Sequence, residues 1–226
     1  MSQAFKWESQ SRLMDEVAQV LRERIYSGVY EPGATLRQER IAAEFGISRT
    51  PLREAFRVLE RDGLVVNQPY SGVRVATADL RKLLDAYAVR KAMDSVAAGN
   101  AAERATGSEI EQLERSVERQ KEIIDNWNPG DYTQANVEFH LKIMQAARNA
   151  SLEPLAPLVH LTSQVFTPAF ALSSDRASAA IAEHCAILEA IRERDADKAE
   201  RVAGAHINGT IVGLKMLLAE QANAGA

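Results

Sequence analysis

The stretch Gln38–Gly63 (QERIAAEFGISRTPLREAFRVLERDG) restricts the fold of this chain more than any other. Its first half, about Gln38 to Phe45, is short and helical, with Ile41, Ala42 and Phe45 on one face. Gly46 breaks that helix. Ser48 offers an N-cap for a second one, and Pro51 falls in its first turn, where a missing N–H costs nothing. There Leu52, Ala55, Phe56 and Leu59 form the side to be buried, while Arg49, Arg53, Arg57 and Arg61 recur as a separate stripe. A second helix that is apolar behind and cationic in front is the arrangement of a helix–turn–helix, which inserts that helix into a DNA major groove. A solvated charged face, partly neutralised by Glu54 and Glu60, accounts equally for the stripe alone.

The flanks extend this pattern. Leu13, Val17, Val20, Leu21 and Ile25 mark an amphipathic helix over about 11–27, and residues 1–10 read as an arm without periodicity. GVYEPG, residues 28–33, ends the helix with turn chemistry. After Gly63, two β-rich runs, Leu64–Asn67 and Val73–Ala76, surround the turn QPYSG and predict a hairpin, the wing of a winged helix. In it Arg74 is placed to meet a phosphate and Gly72 to let the backbone approach a minor groove. A hairpin that only packs on the helices fits the same residues.

The net charge of −4 argues weakly against a nucleic-acid partner until the chain is divided. Residues 1–78 carry 11 Lys+Arg against 10 Asp+Glu, and residues 79–226 carry 16 against 21. Between Lys6 and Arg81 every basic residue is arginine, the side chain that grips guanine and phosphate with two hydrogen bonds. The single Cys185 excludes an internal disulfide and suits a reducing compartment. No basic-then-apolar leader opens the chain and no run of membrane-spanning length is free of polar residues, the nearest being 152–172. A cytoplasmic protein is expected.

From Ala78 onward strand signals disappear. Six helices are expected, near 79–104, 108–127, 131–148, 151–171, 174–194 and 196–220, and their short connections predict an antiparallel bundle. The fold class is therefore mostly α, with a winged helix-turn-helix domain at 1–78 and an all-helical domain at 79–226. Asn136 and His140 stand four apart on one helix and point the same way, and His184 and His206 come from two others. Three imidazoles and one oxygen donor suit a divalent transition metal (Zn²⁺, Ni²⁺ or Mn²⁺), with open positions for a ligand carboxylate. His206, Gly209, Thr210 and Gly213 share a face whose small residues leave space beside the imidazole. Structural histidines, with glycines for close helix packing, are the plainer reading of these positions.

The segment GISRTPLREAF, residues 46–56, resembles the recognition-helix signature of GntR-family bacterial transcription regulators. AVRKAMDSVAAGNAA, NVEFH with the following ARN, and EHCAILEAIRERDADKAERVAGAH resemble the FCD effector domain of FadR-type members. The combined likeness covers about residues 11–220. It implies DNA contacts at Ser48, Arg49, Thr50 and Arg53 and at Gly72 in the wing. Relatives often place Glu-Arg at the start of the preceding helix, and here Arg37 or Arg40 stands in for that contact. The resemblance also implies metal ligands at Asn136, His140, His184 and His206, with Asn136 where Asp is usual, and leaves His160 outside the set. Arg90 matches an arginine of the domain, with Asp94 in place of the usual Glu. It is expected either to meet an anionic effector or to pair only with Asp94.

These readings predict a ligand-responsive regulator that binds a palindromic double-stranded DNA operator as a homodimer, with no membrane partner. A small organic acid bound through the metal would relieve repression. A metal-dependent enzyme acting on a small carboxylate is the alternative, for which Glu183 and Glu138 are the neighbouring acids. A DNA-packaging protein would need a more basic chain.

Overall fold

The structure is a computed structural model that describes residues 5–68, 72–77, 80–165 and 173–224. The chain divides into two compact units, residues 1–77 and 78–226.

The first unit runs α1 (Phe5–Tyr26), β1 (Thr35–Leu36), α2 (Gln38–Phe45), α3 (Arg49–Arg61), β2 (Val65–Gln68) and β3 (Gly72–Val75). Gly46 closes α2 in the left-handed conformation at φ 63°, a geometry that costs glycine little, and the chain turns into α3. Ser48 stands at the N-cap with extended backbone, but its hydroxyl makes no cap bond. Leu52, Ala55, Phe56 and Leu59 of α3 are buried together with Val17, Ala18, Leu21 and Ile25 of α1. Leu13 and Val20, expected on that buried side, are exposed: α1 buries a stripe too narrow to include them. The helix also reaches back to Phe5, into the expected irregular arm.

The wing is a three-stranded antiparallel sheet in the order β1-β3-β2. Thr35 and Val66 both pair with Arg74, on opposite edges of β3. The β1 strand is two residues long, too short for alternation to reveal, so the sequence predicts only the hairpin. Residues 69–71 of the expected QPYSG turn lie outside the described residues.

The second unit contains α4 (Leu80–Arg104), α5 (Gly107–Asp125), α6 (Pro129–Ala146), α7 (Ala156–His160), α8 (Ser174–Arg192) and α9 (Ala196–Ala224). The starts of α5, α6 and α8 carry side-chain caps. Thr106 and Glu109 form a reciprocal capping box on α5, Asn128 caps α6, and Ser173 accepts from the Arg176 N–H at the start of α8.

The single helix expected over 151–171 is broken instead. A 3₁₀ turn (Glu153–Leu155) leads into α7, and a π-helical turn (Leu161–Val165) follows. Pro154 and Pro157 each suit the first turn of a short helix rather than the middle of a long one. Residues 166–171 of that expected helix lie outside the described residues.

α4 and α9 pack closely. A Cβ on Gly204 would come within 2.7 Å of Ser95 Oγ, and one on Gly99 within 2.6 Å of the Glu200 side chain. Among the described residues, α9 is by length and composition the helix apolar enough to cross a membrane. Its Ala199, Ala203, His206, Ile207 and Leu214 are buried, as in the core helix of a bundle.

Candidate functional site

His140 on α6, His184 on α8 and His206 on α9 are 3%, 0% and 5% exposed, and one ring nitrogen of each lies within 4.8 Å of the other two. The Nε2 atom of His206 is 3.3 Å from that of His184 and 3.4 Å from that of His140. Each Nδ1 is engaged elsewhere. His140 Nδ1 meets Asp94 Oδ1 at 2.8 Å, His184 Nδ1 meets Gln120 Oε1 at 2.8 Å, and His206 Nδ1 meets Glu183 Oε2 at 2.6 Å.

These partners set the tautomers. Ionised carboxylates only accept, so Nδ1 of His140 and of His206 must carry the proton. Gln120 Nε2 donates to the Ala135 carbonyl, which turns its oxygen toward His184 and makes that Nδ1 a donor too. With each imidazole neutral, the three Nε2 lone pairs then face one another. Such a cluster of acceptors fits a cation. A tetrahedral metal with bonds of about 2.0–2.1 Å to nitrogen has edges of about 3.3–3.4 Å, as in both measured separations. Orientation of each imidazole by an acceptor on its second nitrogen is the usual support of a metal-binding histidine.

The electrostatics favour the neutral imidazole at His140 and at His184. Burial and then the nearby Arg90 charge push His140 down to about 4, against the pull of Asp94. Burial, followed by the two other histidines, pushes His184 well below its ordinary value. Burial alone would raise the Asp94 carboxyl. Arg90 and His140 outweigh it and hold Asp94 well below the usual carboxylate range. Glu183 is likewise held low, by His206 and Arg176 against its partial burial.

Asn136 lines the same cavity as His140 and His206, with Tyr87, Tyr132, Thr133, Ser163, Arg176 and Thr210. The cavity holds about 100 Å³, room for a small molecule. Arg90 also borders it, but the guanidinium, on a side chain 1% exposed, donates to both Asp94 oxygens and to the hydroxyls of Thr162 and Ser163. Of the two roles expected for Arg90, the geometry fits the ion pair: it fixes Asp94, which fixes His140. The π-helical turn sets Thr162 and Ser163 against that guanidinium. His160 stands apart from the trio, with Nδ1 against Gln164 Oε1 at 2.7 Å.

In the first unit the arginine stripe is exposed, as are Ser48, Thr50, Arg37, Arg40 and Gly72. Arg53 has no side-chain partner among the described residues. Arg49 is tied to Glu39 of α2 at 2.5 Å, and Arg57 to Glu54 at 2.7 Å. Gly72 has φ +81°, and a Cβ added there would meet nothing within 4 Å, so backbone conformation, not space, favours glycine.

The family model described as bacterial regulatory proteins, gntR family, matches residues 13–75, and that of the FCD domain matches residues 85–209. The chain belongs to the GntR family and carries an FCD domain. Among similar proteins, a probable D-xylose utilization operon transcriptional repressor of Paenarthrobacter nicotinovorans is 33% identical over 77% of this chain and 76% of its own length. The galactonate operon transcriptional repressor of Escherichia coli is 28% identical over 84% of this chain and 91% of its own. The solved structure of E. coli McbR/YncC shares the fold at a TM-score of 0.78, with 20% identity, covering 91% of this chain and 98% of that one.

Sequence reasoning located the FCD-domain histidines but missed Gln120 and Arg176 and the orienting role of Glu183. Arg176 carries a sequence signal, since it stands seven residues before Glu183 on α8 and donates to it at 3.1 Å. Gln120 carries none: it meets His184 across 64 positions of chain.

Proposed function

We propose that this GntR-family chain is a transcriptional repressor that binds a palindromic operator as a homodimer and is released by a small organic acid. On this reading it acts in the cytoplasm. The exposed face of α3 reads the major groove through Ser48, Arg49, Thr50 and Arg53, with the wing at Gly72 and Arg37 ahead of α2 as flanking contacts. In the FCD domain His140, His184 and His206 would hold a divalent transition metal (Zn²⁺, Ni²⁺ or Mn²⁺), with Asn136 as a neutral oxygen donor. The metal, when bound, supplies a Lewis-acidic centre for an acid's carboxylate. The chain's own residues do the remainder: Asp94, Gln120 and Glu183 orient the imidazoles, and Thr133 and Thr210 line the cavity. Acid binding shifts the population between dimer states that fit or miss two half-sites.

The convergence of the three Nε2 atoms beside a small cavity carries this reading. Repression rests on the relatives named as repressors of D-xylose and galactonate operons, and galactonate is an acid of the class this reading needs. An enzyme would need a free general base near the site. Glu183 is engaged by His206 and Arg176, and Glu138 by Arg119 and Gln134.

Elemental analysis after dialysis against a weak chelator tests the metal. With acetate present throughout the dialysis, wild type and His160→Ala should retain about one ion per chain, while His140→Ala should lose both the ion and the release from operator by acid. Metal-free wild type that still responds to acid would overturn the metal role.

A further inference from the structure

The charges around the three histidines cancel before any metal arrives. Asp94 is matched by Arg90 at 2.9 Å and Glu183 by Arg176 at 3.1 Å. Gln120 is neutral, and imidazoles bind metal in their neutral form. Asn136, the oxygen donor beside them on α6, is neutral too and has no side-chain partner among the described residues. The two arginines thus neutralise the carboxylates that, among the described residues, touch the imidazoles. A divalent ion on the three Nε2 atoms would bring two positive charges that no ligand offsets, among side chains at most 5% exposed. Uncompensated buried charge is strongly unfavourable. His140, His206 and Asn136 all line the cavity, so an anion bound in it lies beside the ion.

We propose that the metal and a small carboxylate bind this site as a pair, the acid supplying the anionic ligand that Asn136 withholds. The inference rests on the metal reading above and adds the linkage. Each partner raises the other's affinity by the same factor, because coupling between two binding equilibria is reciprocal. The ion is then held firmly only while acid is present, and the metal-and-acid pair together is the signal. An aspartate at position 136 would break the linkage, since a carboxylate built into the protein supplies the charge permanently.

Zinc titrated into dialysed full-length protein, in competition with a fluorescent chelator, tests this in acetate and in chloride of equal ionic strength. Acetate suffices as the probe, because the argument needs only a carboxylate small enough for a cavity of about 100 Å³. A chelator-only titration removes acetate's own weak hold on zinc. Wild type should bind zinc about ten-fold or more tightly in acetate. Asn136→Asp should bind tightly in both buffers, with the acetate effect largely gone. Zinc binding of equal strength in both buffers overturns the linkage and leaves the metal site standing. An acetate effect that survives in Asn136→Asp, or in His140→Ala, also overturns it, by placing the anion elsewhere. No zinc binding in either buffer refutes the metal reading itself, and the linkage with it.

Discussion

Arg49 and Arg53 stand one turn apart on α3, yet they differ in what they must give up to touch DNA. Arg53 has no partner to leave among the described residues, whereas Arg49 is held by Glu39 in a pair whose side chains are 65% and 78% exposed. An exposed pair of this kind contributes about 0–1 kcal/mol, so operator phosphates or bases can displace it. Arg53→Ala should weaken operator binding by roughly 1–3 kcal/mol with the fold intact. Glu39→Gln should tighten it by up to about 1 kcal/mol, since it frees Arg49 and removes a negative charge near the phosphates. Fluorescence anisotropy on a palindromic site measures both, and weaker binding by Glu39→Gln would reject the contact assigned to Arg49. His140 yields a pH prediction for metal-free protein. Its folded value of about 4 lies below the ordinary 6.5, so between these pH values the unfolded chain binds a proton that the folded one refuses. Stability should therefore fall as pH drops from about 6.5 to 4, by on the order of 3 kcal/mol from this group. Urea unfolding of wild type and His140→Gln across that range should show a shallower fall in the variant. The histidines were legible because imidazole is rare in this chain and two elements of the pattern sit four residues apart. Their orienting partners were not, because Asp94 and Gln120 meet their histidines across 46 and 64 residues, and no spacing rule reaches that far.

At the scale of elements, the glycines of α9 separate by surroundings that the sequence does not distinguish. The pattern of the last helix gives Gly209 and Gly213 the part of making room beside His206. A Cβ at Gly213 meets nothing within 4 Å, and one at Gly209 meets Arg176 and Glu183 only at ordinary contact distance, so neither is required for close packing. Gly204 is the position where α4 presses, through Ser95 at 2.7 Å. Gly213→Ala should stabilise the chain by about 0.5–1 kcal/mol, the helix-propensity difference. Gly204→Val should destabilise it by about 1–3 kcal/mol through overpacking. Thermal melts of the two variants should move in opposite directions, and equal shifts would contradict the α4–α9 contact. Long elements were legible from caps and periodicity: α2 runs over the predicted Gln38–Phe45, and α4, α5, α6 and α8 fall within a few residues of expectation. Short irregular ones were not. The π turn at Leu161–Val165 is held by tertiary contacts, with Thr162 and Ser163 accepting from Arg90 on another helix, and local sequence does not encode them.

For the whole molecule, one recognition helix and one small wing offer less surface than specific operator binding uses, since single modules bury only about 600–1,000 Å². Two copies related by a two-fold axis solve this, and they match a palindrome with half-sites about 34–36 Å apart. The helical unit has apolar surface available for the contact. Val89 and Val96 are two turns apart on one face of α4, and Val212 and Met216 are one turn apart on α9, where Met216 is 62% exposed. Large apolar side chains grouped on helix faces, rather than scattered, mark an interaction surface. Val96→Glu and Met216→Glu each leave the buried core untouched, because neither side chain belongs to it. Sedimentation at micromolar concentration should show wild type as a dimer and at least one of the two variants shifted to monomer with unchanged helicity. The shifted variant should then bind a single half-site and a full palindrome with nearly equal affinity, whereas wild type should strongly favour the palindrome. Wild-type protein that sediments as a monomer both free and on DNA would refute the dimer. Variants that remain dimeric would place the contact on another face.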